Sequence, residues 1–278
     1  MLHCVLVAAV GMGALLLFVV LPVNFALTPR LSRPRPRTAR APRVSVVIPA
    51  RDEERGIERA VRSHLLQDYA NFEVVVVDDR SSDRTGEILA ALAREDRRLT
   101  VLPGIDPPAG WLGKPHALHV AALAATGELL LFADADVVYD PRALGEAVAF
   151  LEASRADFAV LLPRMEAEGF WESVLMPYVL GAYFGGIGFL ANMDRPRWAA
   201  AGGGAGNLIR RSAYDAVGGH AALKDSVIDD VHLALKTKRG GFRTRAVRAE
   251  DRVSVRMYRG LAGVVNGFTK NIAYALNG

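Results

Sequence analysis

Three patterns of apolar and polar residues follow one another along this chain. The first, Met1 to Pro29, carries no charged side chain. Its residues 4 to 27, taken as a helix, span roughly 36 Å at about 1.5 Å per residue, enough to cross a bilayer. The second, residues 29 to 43, interleaves arginine with proline. The third begins at Val44 and alternates strand-like runs with helical spacings. Val44 to Ile48, Glu73 to Val77, Leu99 to Leu102, Glu128 to Phe132 and Phe158 to Leu162 read as short strands, most of them buried on both faces. Between them the apolar spacing predicts helices over 53–66, 84–94 and 114–125. Ser81-Ser82-Asp83 caps the second of these, and Pro141 opens a further helix after Asp140.

Strand and helix alternate in this way through residue 162. That predicts an α/β, Rossmann-like fold: a mostly parallel sheet with helices on both faces. Such sheets bind ligands at the carboxyl ends of their strands. The later half is less regular. Residues 170 to 191 are almost entirely apolar, but Pro177 and four glycines favour a buried or membrane-surface segment over a second membrane span. Ala201 to Gly206 is a glycine-rich loop before a strand at Asn207 to Ile209, either a flexible connection or a substrate-contacting loop. Ile228 to Lys236 reads as a helix start with two acids at its positive end, stopped by Gly240-Gly241. Residues 253 to 276 read as amphipathic.

Length adds that 278 residues hold one large α/β domain plus an anchor. The domain organisation read here is a transmembrane anchor at 1–28, a Pro/Arg-rich linker at 29–43, the α/β domain at 44–252 and a membrane-surface segment at 253–278. Charge sharpens the picture. The chain has 34 basic and 30 acidic residues, a net +4. Without the six arginines between Arg30 and Arg43 the balance is 28 against 30, or −2, so the excess belongs to the linker. Basic residues beside an apolar helix predict a single-pass protein with its α/β domain on the cytoplasmic side, the linker attracted to anionic lipid. A secretory signal peptide fits less well, because a basic leading region and a clean cleavage site are missing. Nucleic acid is disfavoured as a partner, since no basic, aromatic-laced face is visible. The lone cysteine, Cys4, excludes an internal disulfide and a cysteine-based metal site.

The densest chemistry is Asp134-Ala135-Asp136, directly after the strand ending at Phe132. Two carboxylates one residue apart make a hard-oxygen clamp suited to Mg²⁺ or Mn²⁺ that also holds phosphate oxygens. Acids stand at two other strand ends as well: Glu53 after Pro49-Ala50-Arg51, and Asp78-Asp79 after the second strand.

These motifs, with Gly113-Lys114-Pro115-His116 and Asp229-Asp230, resemble family 2 glycosyltransferases of the GT-A fold over roughly residues 44 to 270. Within that family the chain is most similar to membrane-associated, hopanoid-associated and ceramide-glucosylating enzymes. The resemblance implies inverting, metal-dependent transfer of a sugar from a nucleotide-sugar donor, a UDP-sugar, to a lipid acceptor at the membrane. It implies Pro49, Ala50, Glu53 and Asp79 at the uracil and ribose, Arg51 among the donor-binding residues, Asp78 either sharing that role or capping the following turn, and Lys114 at the diphosphate. Asp136 would then hold the metal, Asp134 the ribose or metal, and Asp230 would be the general base beside Asp229. Two departures stand out. Asp229-Asp230 replaces a common Glu-Asp, and Asn266 to Lys270 stands where processive relatives carry Gln-x-x-Arg-Trp, which argues against a polysaccharide synthase.

Two other readings compete. A nucleotidyltransferase would need a glycine- and arginine-rich loop where Pro49 to Glu54 stands. A non-catalytic nucleotide-sugar-binding membrane protein would have no need of Asp134, Asp136 and Asp230 together. The histidines show no zinc-type spacing.

Overall fold

The computed structural model describes residues 10–32 and 41–277; Cys4 and the arginines from Arg33 to Arg40 lie outside the described residues. The first element, α1 (Val10–Leu27), is an apolar helix of 18 residues with mean hydropathy 2.3, able by length and composition to cross a membrane. Its end is fastened to the rest of the protein. Asn24 Nδ2 donates to the Phe184 carbonyl at 2.5 Å, and the Arg248 guanidinium stacks 3.5 Å from the centroid of Phe25. The chain after it does not leave as a free linker at once. Arg248 N donates to Pro29 O at 2.8 Å, Leu31 N to Arg248 O at 2.7 Å, and Leu31 is fully buried.

The β-branched runs form strands where their pattern predicts: β1 (Val44–Ala50), β2 (Phe72–Asp78), β3 (Leu99–Pro103), β4 (Leu129–Phe132) and β6 (Phe158–Leu162). The helices between them are α2 (Ile57–Leu65), α3 (Thr85–Glu95), α4 (Gly113–Ala124) and α5 (Ala143–Ala153). With β8 (Asn207–Arg210) and β9 (Thr244–Arg248) the strands build a seven-stranded sheet in the order β3-β2-β1-β4-β8-β6-β9. Every pairing in it is parallel except those of β8, which runs against both β4 and β6. Each face is covered by its own apolar cluster, one centred on Ile48, Leu131 and Leu144, the other on Val47, Leu130 and Ile209. This is the predicted mostly parallel sheet with helices on both sides.

A smaller sheet of β5 (Val137–Tyr139), β10 (Val253–Val255) and β7 (Arg164–Met165) sits beside it in the order β5-β10-β7. The stretch from 253 therefore opens on a strand, and its helix, α10, is Gly260–Asn277. The apolar stretch 170–191 divides into α6 (Phe170–Leu175), α7 (Pro177–Gly186) and a 3₁₀ turn at Gly188–Asn192. Glu172 buries its carboxylate there to accept from Arg256 and from the Gly260 N–H, tying α6 to α10. Residues 211–216 form α8 (Arg211–Ala216), and α9 spans Asp229–Arg239.

One buried group makes stability sensitive to acid. His64, on α2, is fully buried against Tyr139, and among the described residues neither ring nitrogen has a hydrogen-bond partner. Burial pushes its pKa down to about 3. The unfolded chain takes up that proton below about pH 6.5 while the folded chain does not. The contribution is complete above about pH 6.5 and is lost as the pH falls from there toward 3. Between about pH 6.5 and 5 this residue is expected to cost about 2 kcal/mol of stability. Thermal unfolding at both pH values, for the wild type and His64→Leu, measures it: the variant should show a shallower acid decline.

Candidate active site

The carboxyl ends of β1, β2 and β4 open onto one cleft of about 470 Å³. Its walls bring together residues far apart in sequence: Pro49, Ala50, Arg51 and Glu53 after β1, Asp79 after β2, Lys114 on α4, Asp134 and Asp136 after β4, and Asp229 on α9. Asp78, expected among the donor-binding residues, is not among those that line it. Its carboxylate accepts from Ser81 N at 3.2 Å and its carbonyl accepts from Gly104 N at 2.8 Å, so it shapes the turn that presents Asp79.

The loops after β1 and β2 hold each other in place. Asp52 accepts from Ser82 N at 2.7 Å and Glu53 N donates to Thr85 Oγ1 at 2.8 Å. Asp52 and Arg80 both adopt left-handed backbone, with φ of 54° and 59°, a conformation that costs energy in residues other than glycine and is held here by the interlocked loops. Asp79 is buried and meets the Arg80 guanidinium at 3.0 Å and that of Arg51 at 3.8 Å.

Electrostatics divides the acids into distinct roles. Lys114 Nζ lies 2.6 Å from Asp134 Oδ1. Burial works against its charge, but Asp134, Asp229 and Asp230 together hold its pKa above the usual lysine range. Among the described residues Asp136 has no such cation at contact; burial, then Asp134 and Glu53, push its carboxyl up to about 7. Glu53 is likewise raised by burial and by Asp134. A site that keeps this much unneutralised carboxylate together fits a cation. Among the described residues no group of three or more His, Cys, Asp or Glu side chains is arranged to hold a metal. Two carboxylates, with phosphate oxygens and water completing the shell, are nonetheless a common Mg²⁺ arrangement.

Asp229 and Asp230 begin α9 and are pushed apart in acidity. Asp229 is buried, with Oδ2 3.7 Å from His220 Nε2; burial raises its pKa, but His220 and Lys114 outweigh this and hold it low. Asp230 lines a narrow cavity behind the cleft with Lys114, Asp134, Asn207 and His220. Burial lifts its carboxyl to about 6, opposed by Lys114 and helped by Asp229 and Asp134. His220 is placed by Tyr214, whose hydroxyl lies 2.9 Å from Nδ1. Neither residue stands out in the sequence, because nothing in its spacing ties 214 and 220 to 229.

The glycine loop packs against the acids of the site. Asn207 accepts from Gly203 N at 3.1 Å and donates to the Asp230 carbonyl at 3.3 Å, and Asp134 N donates to Gly204 O at 2.7 Å. A Cβ at Gly204 would collide with the Asp134 carboxylate, and one at Gly202 with the Asp230 carbonyl. Gly204→Ala is expected to displace Asp134 and lower kcat/KM for donor by about tenfold or more, while the melting temperature barely moves. Steady-state kinetics beside a melting curve checks this.

The profile of the family described as Glycosyl transferase family 2 matches residues 45–218, the region that supplies every cleft residue except those of the α9 side. The chain belongs to this family. Its architecture is that of the GT-A fold. Among curated relatives, the 4,4'-diaponeurosporenoate glycosyltransferase of Staphylococcus haemolyticus is 26% identical over 83% of this chain and 61% of its own length. The beta-monoglucosyldiacylglycerol synthase of Trichormus variabilis is 31% identical over 70% of this chain and 41% of its own length. The chain thus spans about half the length of these relatives. Among solved structures, the mannosyltransferase PcManGT from Pyrobaculum calidifontis, in complex with GDP-Man and Mn²⁺, superposes with a TM-score of 0.64 at 23% identity, covering 97% of this chain and 74% of that one. TarS 1–349 from S. aureus with UDP-GlcNAc gives 0.56 at 20% identity, over 80% and 60% of the two chains. At these identities the likeness to the solved structures is one of fold.

Proposed function

We propose that this glycosyltransferase moves a sugar, with inversion, from a UDP-sugar to the hydroxyl of a membrane lipid at the cytoplasmic face. The observation that carries the reading is the cleft that gathers Glu53, Asp79, Asp134 and Asp136 from three strand ends, with Lys114 paired to Asp134 at 2.6 Å and Asp230 in the narrow cavity behind.

Pro49, Ala50, Arg51, Glu53 and Asp79 form the end of the cleft suited to a base and ribose, their carboxylates accepting from base N–H and sugar hydroxyls. Lys114 stands in the first turn of α4 and adds its charge to the positive end of that helix, where a diphosphate is stabilised. Asp136, with Asp134, would hold Mg²⁺ or Mn²⁺, which when bound neutralises charge on the leaving diphosphate. Asp230 takes the proton of the acceptor hydroxyl as its oxygen attacks the anomeric carbon. The C–O bond to the diphosphate breaks on the opposite face, which gives inversion in one displacement. Asp229, kept ionised by His220 and Lys114, stabilises the start of α9 and so the position of its neighbour.

The lipid acceptor draws support from the apolar helix α1 and from two curated relatives whose names carry lipids, a diaponeurosporenoate and a monoglucosyldiacylglycerol. The reading is tested by incubating the full chain with a panel of UDP- and GDP-sugars, Mg²⁺ or Mn²⁺ and a membrane-lipid extract, then analysing products by mass. A β-configured hexosyl lipid from an α-linked UDP-sugar is the expected product. Transfer only to soluble sugars, or none with any donor, overturns it.

A further inference from the structure

A second cavity, of about 480 Å³, lies where α1 meets the catalytic domain. Phe25 of α1, Met176 and Phe184 of the α6–α7 region, Leu162 of β6 and Met165 of β7 make its apolar wall. Arg164, Ser173, Arg248 and Glu250 supply its polar groups. Size and lining match a pocket for an apolar ligand with a few polar anchor points. None of its residues belongs to the donor cleft.

Its position follows from strand register. Phe132 pairs with Asn207, and Asn207 with Val160. Asp134 lies two residues beyond Phe132, and Leu162 two beyond Val160, on strands that run the same way. Asp134 and the inner wall of this cavity therefore stand at one level of the sheet, two strand spacings or roughly 10 Å apart. The outer wall includes the end of the apolar helix α1. Phe25 is two residues from the end of α1, held by Arg248, which is buried, stacks on its ring and donates to its carbonyl at 3.0 Å. Phe170 and Trp171, on the same α6 that contributes Ser173, are exposed, as aromatic residues at a membrane interface are.

From this juxtaposition we infer that the cavity receives the apolar chain of the lipid acceptor, whose hydroxyl then reaches along the rim to Asp230. The inference rests on the lipid-acceptor reading above and gives it a site. A sugar or soluble acceptor would leave this wall wet; a hydrocarbon chain removes it from water.

The test uses the full chain in phosphatidylcholine vesicles containing a diazirine-bearing C16 monoacylglycerol. After irradiation, label is expected on peptides carrying Leu162 to Met176 and on the peptide carrying Phe184. Labelling needs no turnover, so it reads the cavity even if glycosyl transfer fails. Ala167 and Ser173 border the cavity and are exposed, so Ala167→Trp and Ser173→Phe fill it from the rim and leave the core untouched. Each is expected to cut that labelling about fivefold and to raise KM for the membrane acceptor about tenfold, with kcat changed much less. Label confined to α1 in the wild type overturns the inference without any variant. So does labelling of the cavity accompanied by an unchanged acceptor KM in both filled variants, which would make the bound chain a structural lipid. A wild type that is labelled in the cavity yet transfers sugar only to soluble acceptors would overturn the acceptor reading and this inference with it.

Discussion

Asp230→Asn is expected to lower kcat by two to four orders of magnitude, the usual worth of a positioned general base, while leaving donor affinity within about twofold. The substitution keeps the shape of the side chain and its contact to the Val231 N–H, 2.8 Å from Oδ1, and removes only the ability to accept a proton. Asp229→Asn is expected to do less to the chemistry and more to the site, because it removes the negative charge that His220 and Lys114 face. Isothermal titration with UDP beside steady-state turnover separates the two effects. If Asp230→Asn keeps near-normal turnover, the acceptor needs no deprotonation, as for an already ionised phosphate.

The same assignment fixes a pH profile. The groups facing Asp230 are Lys114 on α4, Asp134 after β4, Asp229 on its own helix and His220 from the turn before it. Burial is the largest influence and lifts the carboxyl to about 6. A base works only when ionised, so turnover should be full above that value and fall as the pH drops through it. Lys114→Met removes the one influence in this group that clearly opposes the rise. The acid limb should then move upward in pH, a shift that a merely structural lysine would not produce. Rates measured from about pH 5 to 8 for both proteins decide it.

The parts of this fold visible in the sequence are those that obey a simple period. Val74 to Val77 and Leu129 to Phe132 are buried on both faces, so their residues are apolar without interruption, and their strands are found within a residue of the predicted ends. The direction of β8 is hidden, since an apolar run looks alike whether it pairs parallel or antiparallel. β9 is hidden for another reason. Its sequence Thr-Arg-Ala-Val-Arg reads as polar, and Arg248 is buried only because Glu250 and Phe25, distant or outside the strand, supply its partners. β7 is two residues long and β5 three, too short for any period. At the site, the acids were legible because carboxylates after buried strands are unusual. Tyr214, His220 and Asn207 were not, because their work is to hold acids that the fold, not the sequence, brings near. The glycines at 202 and 204 become intelligible only once the Asp230 carbonyl and the Asp134 carboxylate are seen against them.

Asp136→Asn carries the other large effect, and it tests the cation. Lys114 compensates Asp134 at contact, so charge at that position is already balanced; Asp136 has burial and two neighbouring carboxylates against it. A divalent cation is the natural counter-charge, and the carboxylate with the most to gain from it is Asp136. Its loss should raise the Mn²⁺ concentration for half-maximal activity by more than about tenfold and lower kcat by about a thousandfold, whereas chelation of the wild type with EDTA should abolish transfer reversibly. Mn²⁺ binding in the presence of UDP, followed by electron paramagnetic resonance, gives a readout independent of turnover. Asp134→Asn should behave differently. It frees Lys114 from its closest partner, so donor KM should change more than Mn²⁺ affinity. Equal loss of Mn²⁺ affinity in the two variants would mean that both carboxylates ligate, and that the 2.6 Å Lys114 pair opens when donor and metal arrive. Unchanged Mn²⁺ affinity in both would remove the metal from this site altogether and leave Lys114, with the N-terminus of α4, as the counter-charge to the leaving group.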